Sequence, residues 1–253
     1  MKLIKKILFR LLSEKAYLNW MHRGFFFLYD IGFLKKDKNF KYHYKVKELI
    51  APDYVIVDIG ANLGYFSKNF ARLTPKGKVI CIEPIPKFYQ VLKHFLAKYK
   101  HVELHNVAFG LEEGHITMAL PQSNGMIRTG LPHIITNQRE SELHPTQEVQ
   151  IVKGSALLLH LDRLDYIKCD IEGYEWNVFQ EIRTALERFK PYLQIEISSD
   201  NSDKLIPYLK SLGYTQFGLF RNKFISEDGP QIEEGDFFFV HQSKLEAFTN
   251  KHL

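Results

Sequence analysis

Residues 55–67 read Val55-Ile56-Val57-Asp58-Ile59-Gly60-Ala61-Asn62-Leu63-Gly64-Tyr65-Phe66-Ser67. An apolar strand ends in a carboxylate, Asp58. Gly60 and Gly64 then bracket Asn62, and a helix is expected from about Tyr65. A strand–turn–helix of this kind holds a nucleoside cofactor over the carboxyl edge of a parallel sheet. Gly60 removes the Cβ at a tight turn, and Gly64 lets backbone approach backbone or ligand closely.

The spacing selects among cofactors. A dinucleotide turn needs G-x-G-x-x-G, so that the pyrophosphate lies on bare backbone at a helix N-terminus. Here Asn62 stands at the middle position, and the pattern is G-x-x-x-G. The Gly-Lys-Ser/Thr ending of a phosphate-binding loop is also missing. Asp58, just before the turn, suits a cation better than an anion. S-adenosylmethionine carries a sulfonium and an ammonium and no phosphate, so the charge logic favours it over NAD or ATP. The plainer alternative is an ordinary βα turn capped by an aspartate.

Lys78-Val-Ile-Cys-Ile-Glu83-Pro84 reads as the next strand, with Glu83 at its tip. An acid there accepts the hydroxyls of a ribose. From residue 54 strands and helices alternate, as a doubly wound sheet requires. Strands are expected at 54–59, 78–83, 102–108, 165–170 and 192–197. Helices are expected near 64–73, 86–99, 174–188 and 202–212, with a closing hairpin at 213–220 and 236–242. Residues 110–117 suggest an extra hairpin or edge strand. Residues 121–149 have weak periodicity and suggest a long substrate-side loop. Within it Arg128, His133, Arg139 and His144 are candidate substrate contacts.

At 253 residues, with 45% hydrophobic and 25% charged side chains, the chain has the size and balance of one α/β domain with additions. Residues 1–50 form a basic, aromatic lead-in, expected to be helical, and 51–245 the main domain. The two cysteines, Cys81 and Cys169, fall in apolar strand patterns and suit buried thiols in a reducing cytosol. The histidines show no metal-ligand spacing on a helix, and no metal site is assigned. A net charge of +5 is too small to argue for nucleic acid. Residues 1–15 pattern as a basic amphipathic helix, too short and charged to span a bilayer. Such a helix suits peripheral contact with an anionic membrane, or packs its leucines on the domain. A cytoplasmic protein, at most resting on the inner membrane face, is the resulting expectation.

A second acidic run is Lys168-Cys-Asp170-Ile-Glu172-Gly173-Tyr-Glu175. Alternate strand residues share a face, so Lys168 and Asp170 point the same way. Gly173 allows a sharp turn into a helix whose first turn holds Glu175. Asp170, at the carboxyl edge, is the first candidate for a general base or a substrate-positioning group, and Glu172 the second. Mg²⁺ bound through these oxygens is weighed but not favoured.

The pieces Asp58-Ile-Gly-Ala-Asn-Leu-Gly64, Cys81-Ile-Glu83-Pro84, Asn106-Val-Ala-Phe-Gly110, Lys168 to Glu175, and Lys190-Pro-Tyr-Leu-Gln-Ile-Glu196 together resemble the FkbM-type methyltransferases, over about residues 50–215. The resemblance implies a class I S-adenosylmethionine-dependent fold: a Rossmann-like sheet of seven strands, the last antiparallel, with helices on both faces. It implies methyl transfer to a hydroxyl of a sugar, glycan or related natural product. The cofactor-binding residues are then Asp58, Gly60, Asn62, Gly64 and Glu83. The usual Ala-Leu-Gly-Asp is here Ala108-Phe-Gly-Leu111, so Asn106 becomes the candidate adenine contact. The competing readings are a non-catalytic or membrane-associated interaction module, an NAD-linked oxidoreductase, and methylation of RNA or protein. Oligomeric state has no sequence signature here.

Overall fold

The structure is a computed structural model that describes residues 8–123, 126–135, 142–220, 222–226 and 235–253. Its centre is a mixed sheet of eight strands. In chain order these are β1 (Val55–Ile59), β2 (Lys78–Ile82), β3 (Val102–His105), β10 (Tyr166–Cys169), β11 (Tyr192–Ile197), β12 (Tyr214–Phe220), β13 (Lys223–Ser226) and β14 (Gly235–His241). Across the sheet they run β13-β12-β14-β11-β10-β1-β2-β3. Strands β1, β2, β3, β10 and β11 are parallel, and β14 pairs antiparallel with both β11 and β12. The expected seven-strand arrangement with its antiparallel last strand is thus present. Edge strand β13 is an addition, paired antiparallel with β12. The closing hairpin is therefore not direct: β14 inserts between β11 and β12.

The strand period sorts side chains into two cores. Val57, Ile59, Ile167, Cys169, Leu193 and Ile195 face one core. It is covered by α6 (Glu175–Glu181), α7 (Arg183–Phe189) and α8 (Ser199–Ser211). Ile56, Val79, Cys81, Tyr166, Phe238 and Val240 face the other. That face is covered by α2 (Lys41–Leu49), α3 (Ser67–Leu73), α4 (Pro86–Leu96) and α9 (Gln242–His252). Burying apolar side chains on both faces is what a sheet with central parallel strands requires. Both cysteines are buried free thiols.

Several boundaries differ from the sequence expectation. The helix after the glycine turn begins at Ser67, two residues late, because Asn62 and Gly64 are left-handed. The helix expected at 174–188 is broken at Ile182 into α6 and α7. Strand β3 ends at His105, and Ala108–Phe109 is a separate strand, β4.

That short strand belongs to a second sheet, ordered β4-β9-β5-β8. Its other members are β5 (Gly114–Ala119), β8 (His133–Ile134) and β9 (Thr146–Val152). A two-stranded ribbon, β6 (Gln122–Ser123) with β7 (Met126–Ile127), lies between. Residues 121–149 are therefore not the single loop expected. Their described part builds β6, β7, β8 and the start of β9, and Val149 there packs with Met118, Leu120 and Ile151 from the flanking residues. The helix α5 (Gly154–Leu158) follows β9.

The lead-in is α1 (Glu14–Asp30), two 3-10 turns at Phe33–Lys36 and Lys38–Phe40, and α2. Ser13 caps α1 by accepting from the Ala16 amide. Tyr17, Leu18, His22, Phe26 and Tyr29 are buried on its inner face. Most of its aromatics pack inward, Phe27 and Phe33 excepted: Phe25 meets Tyr65 at 4.4 Å and Tyr29 meets Tyr44 at 4.5 Å between ring centroids. Of residues 1–15, those from 8 onward are described, and Leu8, Phe9 and Leu12 pack half-buried against the domain. No helix among the described residues is long and apolar enough to cross a membrane.

Candidate active site

The glycine turn leaves the tip of β1 at the point where the strand order reverses, with β2 on one side and β10 on the other. Ligands of open α/β sheets bind at such a switch point. Gly60 and Gly64 have φ of 78° and 84°, and Asn62 has φ of 53°. The amides of Gly60 and Ala61 both donate to the Ile82 carbonyl at 3.0 Å. A Cβ on Gly60 would lie 1.9 Å from the Asp170 carbonyl oxygen, so the backbone of the turn passes directly against the end of β10. At Gly64 it would lie 2.8 Å from Leu92 Cδ1 in α4, so this glycine serves helix packing.

The turn forms the floor of a cleft of about 400 Å³. Glu83 lies on one side, 4% exposed. Its two carboxylate oxygens accept from the Asn62 amide at 2.7 Å and the Ile85 amide at 2.8 Å. Burial pushes this carboxyl up to about 7, against the pull of those two amides. Asp170 and Glu172 line the opposite side, and Thr129, Gly130 and Pro132 contribute from the segment after β7. An apolar slot shares Gly60, Pro84, Met118 and Ile171 with the cleft and continues it between Phe109, Ile134 and Tyr174.

The acidic run is organised by one buried cation. Lys168 is 3% exposed, and its ammonium donates to Asp170 Oδ2 at 3.0 Å and lies 3.9 Å from Asp58 Oδ1. Burial works against its charge, but Asp170 and Asp58 outweigh that and hold its pKa above the ordinary range. Asp58 sits opposite Lys168 in the β1–β10 register. It is fully buried, accepts from Ser67 Oγ at 2.5 Å, and its Oδ1 has no hydrogen-bond donor among the described residues. Burial raises its pKa over the opposing pull of Lys168 and Ser67.

Glu172 and Gly173 follow, with φ of 53° and 99°. A glutamate in the left-handed region is uncommon, and such strain clusters at functional sites. This turn sets Glu172 at the rim shared by the cleft and a larger, open cavity of about 1050 Å³. Glu196, Ser198 and Phe237 also line the larger cavity. Desolvation, then Asp170 and Glu175, push Glu172 up to about 7. Glu172 also faces solvent, so water screens part of that push. Glu175 is different: buried, it accepts from the Gly173 amide at 3.0 Å and from Asn201 at 2.8 Å, and so braces the turn.

The structure therefore brings Gly60, Asn62, Glu83, Asp170 and Glu172 together around one cleft. Three expected residues stand elsewhere. Asp58 shares the face of Ile56, beneath α3, because a strand turns alternate residues to one side. Asn106 donates to the carbonyls of Glu83 and Pro84 at 2.8 and 2.9 Å, bracing that turn without lining the cleft. Gly64 is buried against α4. In the 121–149 segment, neither Arg128 nor His133 is part of the described lining, although their neighbours Thr129, Gly130 and Pro132 are. His144 is not part of it either, and Arg139 lies outside the described residues. Asn62 fastens this segment by donating to the Thr129 carbonyl at 2.5 Å. No group of three or more His, Cys, Asp or Glu side chains among the described residues is arranged to hold a metal ion.

These walls carry the groups that recognise a nucleoside. A buried carboxylate stands at the second strand tip, where ribose hydroxyls are held, and a slot lined by Ile82, Phe109, Ile134 and Tyr174 offers apolar faces to a flat base. Sheet order, glycine turn and switch-point cleft define the class I methyltransferase fold. Residues 58–215 match the family model of the methyltransferase FkbM domain, and the chain belongs to that family. Methyltransferase 1 of Beauveria bassiana is 30% identical, over 51% of this chain and 58% of that protein. The 2-O-methyltransferase NoeI of Sinorhizobium fredii is 31% identical, over 34% of this chain and 35% of that protein. The chain thus spans about three fifths of the one relative and one third of the other. The crystal structure of Methyltransferase FkbM from Methylobacillus flagellatus shares the fold with a TM-score of 0.52 and 18% identity, covering 76% of this chain and 44% of that one.

Proposed function

We propose that the protein is an S-adenosylmethionine-dependent O-methyltransferase that modifies a hydroxyl of a sugar, glycan or similar natural product. The observation that carries this is the placing of Glu83 and Glu172 on opposite walls of one cleft over the Gly60 turn, in a chain of the FkbM family. The 2-O-methyltransferase relative supports oxygen as the acceptor atom.

Glu83 would hold the ribose, Gly60 and Asn62 the backbone approach, and the apolar slot the base. S-adenosylmethionine, when bound, supplies an electrophilic methyl on a sulfonium. The protein's part is to position an acceptor oxygen, keep water out and receive a proton. A neutral hydroxyl is a weak nucleophile, and a positioned base contributes typically ~10²–10⁴-fold. Glu172 suits the base role better than Asp170, because its carboxyl lies at the rim of both cavities. Asp170, fixed by Lys168, would orient the acceptor hydroxyl. The larger cavity, with carboxylates, Ser198 and Phe237, suits a polyhydroxylated acceptor. Asp170 and Glu175 already have protein donors, so Mg²⁺ is not part of the proposal.

Mass spectrometry of cell-envelope glycans with and without the protein tests the acceptor class. Loss of one methyl from a glycan species is the expected result. An unchanged glycan profile would exclude a glycan acceptor.

A further inference from the structure

Helix α1 uses one apolar face for folding, and further apolar side chains stand exposed at and just past its C-terminal end. The inner face buries Tyr17, Leu18, His22, Phe26 and Tyr29. On the outer side Phe27, Ile31 and Phe33 are 66%, 60% and 66% exposed. A surface helix needs one apolar stripe to dock on its domain. Packing of that stripe does not explain the exposed apolar side chains at its end.

Two of these side chains are neighbours, and the third follows two residues on. Phe27 and Ile31 are four residues apart, one turn along the same side, and the Ile31 amide still donates to the Phe27 carbonyl at 3.2 Å. Gly32, left-handed at φ 76°, then starts the 3-10 turn that opens with Phe33. Lys35, Lys36 and Lys38 follow at once, all exposed and none in an ion pair among the described residues. The nearby acids do not cancel them. Asp30 is held in a two-point pair by Arg72 at 2.8 and 3.1 Å, and only Asp37 stands among the lysines.

We propose that Phe27, Ile31 and Phe33, with Lys35, Lys36 and Lys38, form a docking surface for an anionic lipid bilayer. Aromatic and branched apolar side chains enter the boundary between headgroups and acyl chains, while flanking lysines meet anionic headgroups. The basic amphipathic pattern of residues 1–15 suggests a membrane contact there. Its leucines Leu8 and Leu12 pack half-buried on the domain while Leu11 is 76% exposed, and a further exposed apolar set lies at 27–33. The same helix reaches the glycine turn through His22, so docking would bring the turn's helix to the membrane. The inference goes beyond the methyl-transfer proposal and does not depend on it.

Sedimentation with vesicles tests it, using phosphatidylcholine alone and phosphatidylcholine mixed with phosphatidylglycerol. The protein is expected to bind the anionic vesicles roughly tenfold more tightly, and to be released by salt. Phe27→Ser/Ile31→Ser/Phe33→Ser should abolish binding to both vesicle types. Lys35→Ala/Lys36→Ala/Lys38→Ala should erase the anionic preference. All six side chains are exposed, so both variants should melt like the parent. A parent that stays in the supernatant with anionic vesicles overturns the proposal, as do variants that sediment like the parent. So does a parent dimer in solution that the serine variant dissolves while vesicle binding is absent.

Discussion

His22 Nδ1 lies 2.7 Å from the carbonyl oxygen of Leu63, joining the lead-in helix to the middle of the glycine turn across 41 residues of sequence. A carbonyl only accepts, so Nδ1 carries the proton and Nε2 is left to accept from Lys68 Nζ at 3.3 Å. His22 is fully buried and stacks on Phe95 at 3.7 Å. It thereby fixes the one carbonyl lying between the left-handed Asn62 and Gly64.

His22→Phe keeps a ring in the stack and removes the hydrogen bond. An orphaned buried carbonyl costs about 1–3 kcal/mol. Amide exchange over residues 60–66 should rise, with exchange in β2 unchanged. Cofactor affinity should fall roughly tenfold while turnover at saturation changes little. His22→Asn, which restores a donor, should recover part of both. Native-like exchange in His22→Phe would remove His22 from any role in holding the turn.

Acid stability gives a second expectation. Burial pushes both His22 and His43 down to about 3. In the unfolded chain each takes a proton near 6.5. Between those values the unfolded chain binds more protons, so the stability these neutral rings contribute is full above pH 6.5 and is lost as pH falls towards 3. Raised carboxylates such as Glu83, about 7 when folded, work in the opposite sense between about 4.5 and 7. A difference between variants isolates the histidine part. In urea unfolding at pH 7, 6 and 5, His43→Phe should lose about 1 kcal/mol less per pH unit than the parent. Parallel slopes would mean that His43 titrates normally in the folded chain.

Glu172→Gln should leave cofactor affinity within about twofold and lower methyl incorporation from labelled cofactor into a cell extract by ~10²-fold or more. Its residual activity should also lose the acid limb near pH 7, since a group held near 7 must be deprotonated to accept a proton. Asp170→Asn removes the nearest partner of the Lys168 ammonium, so it should lower melting temperature as well as activity. If Asp170→Asn alone abolished transfer while Glu172→Gln left it intact, the base would be Asp170.

Much of this arrangement is legible in the sequence because its signals are local. The turn at Gly60–Gly64, the strand tips at Glu83 and Asp170, and the parity that pairs Lys168 with Asp170 all follow from spacing. Asp58 shows the limit. Its position before the glycines suggests the cleft, but parity sends it under α3, where Lys168 and Ser67 meet it. The second sheet is obscure because its strands β4 and β8, like β6 and β7 of the ribbon beside it, are two residues long, too short to show a period. Thr129, Gly130 and Pro132 reach the cleft from the turn between β7 and β8, and no local pattern marks them. His22 carries a weak signal: a histidine on the apolar stripe of an aromatic helix, whose partner only the tertiary fold supplies.

Cofactor choice is the point on which the proposed chemistry stands, and calorimetric titration of the full chain reads it directly. One molecule of S-adenosylmethionine should bind per chain. Binding should weaken by roughly tenfold or more in Glu83→Ala, as expected when a charged hydrogen-bonding partner is lost. NADH should give no heat. Tight NADH binding, or absence of S-adenosylmethionine binding by the parent protein, would contradict methyl transfer at this cleft.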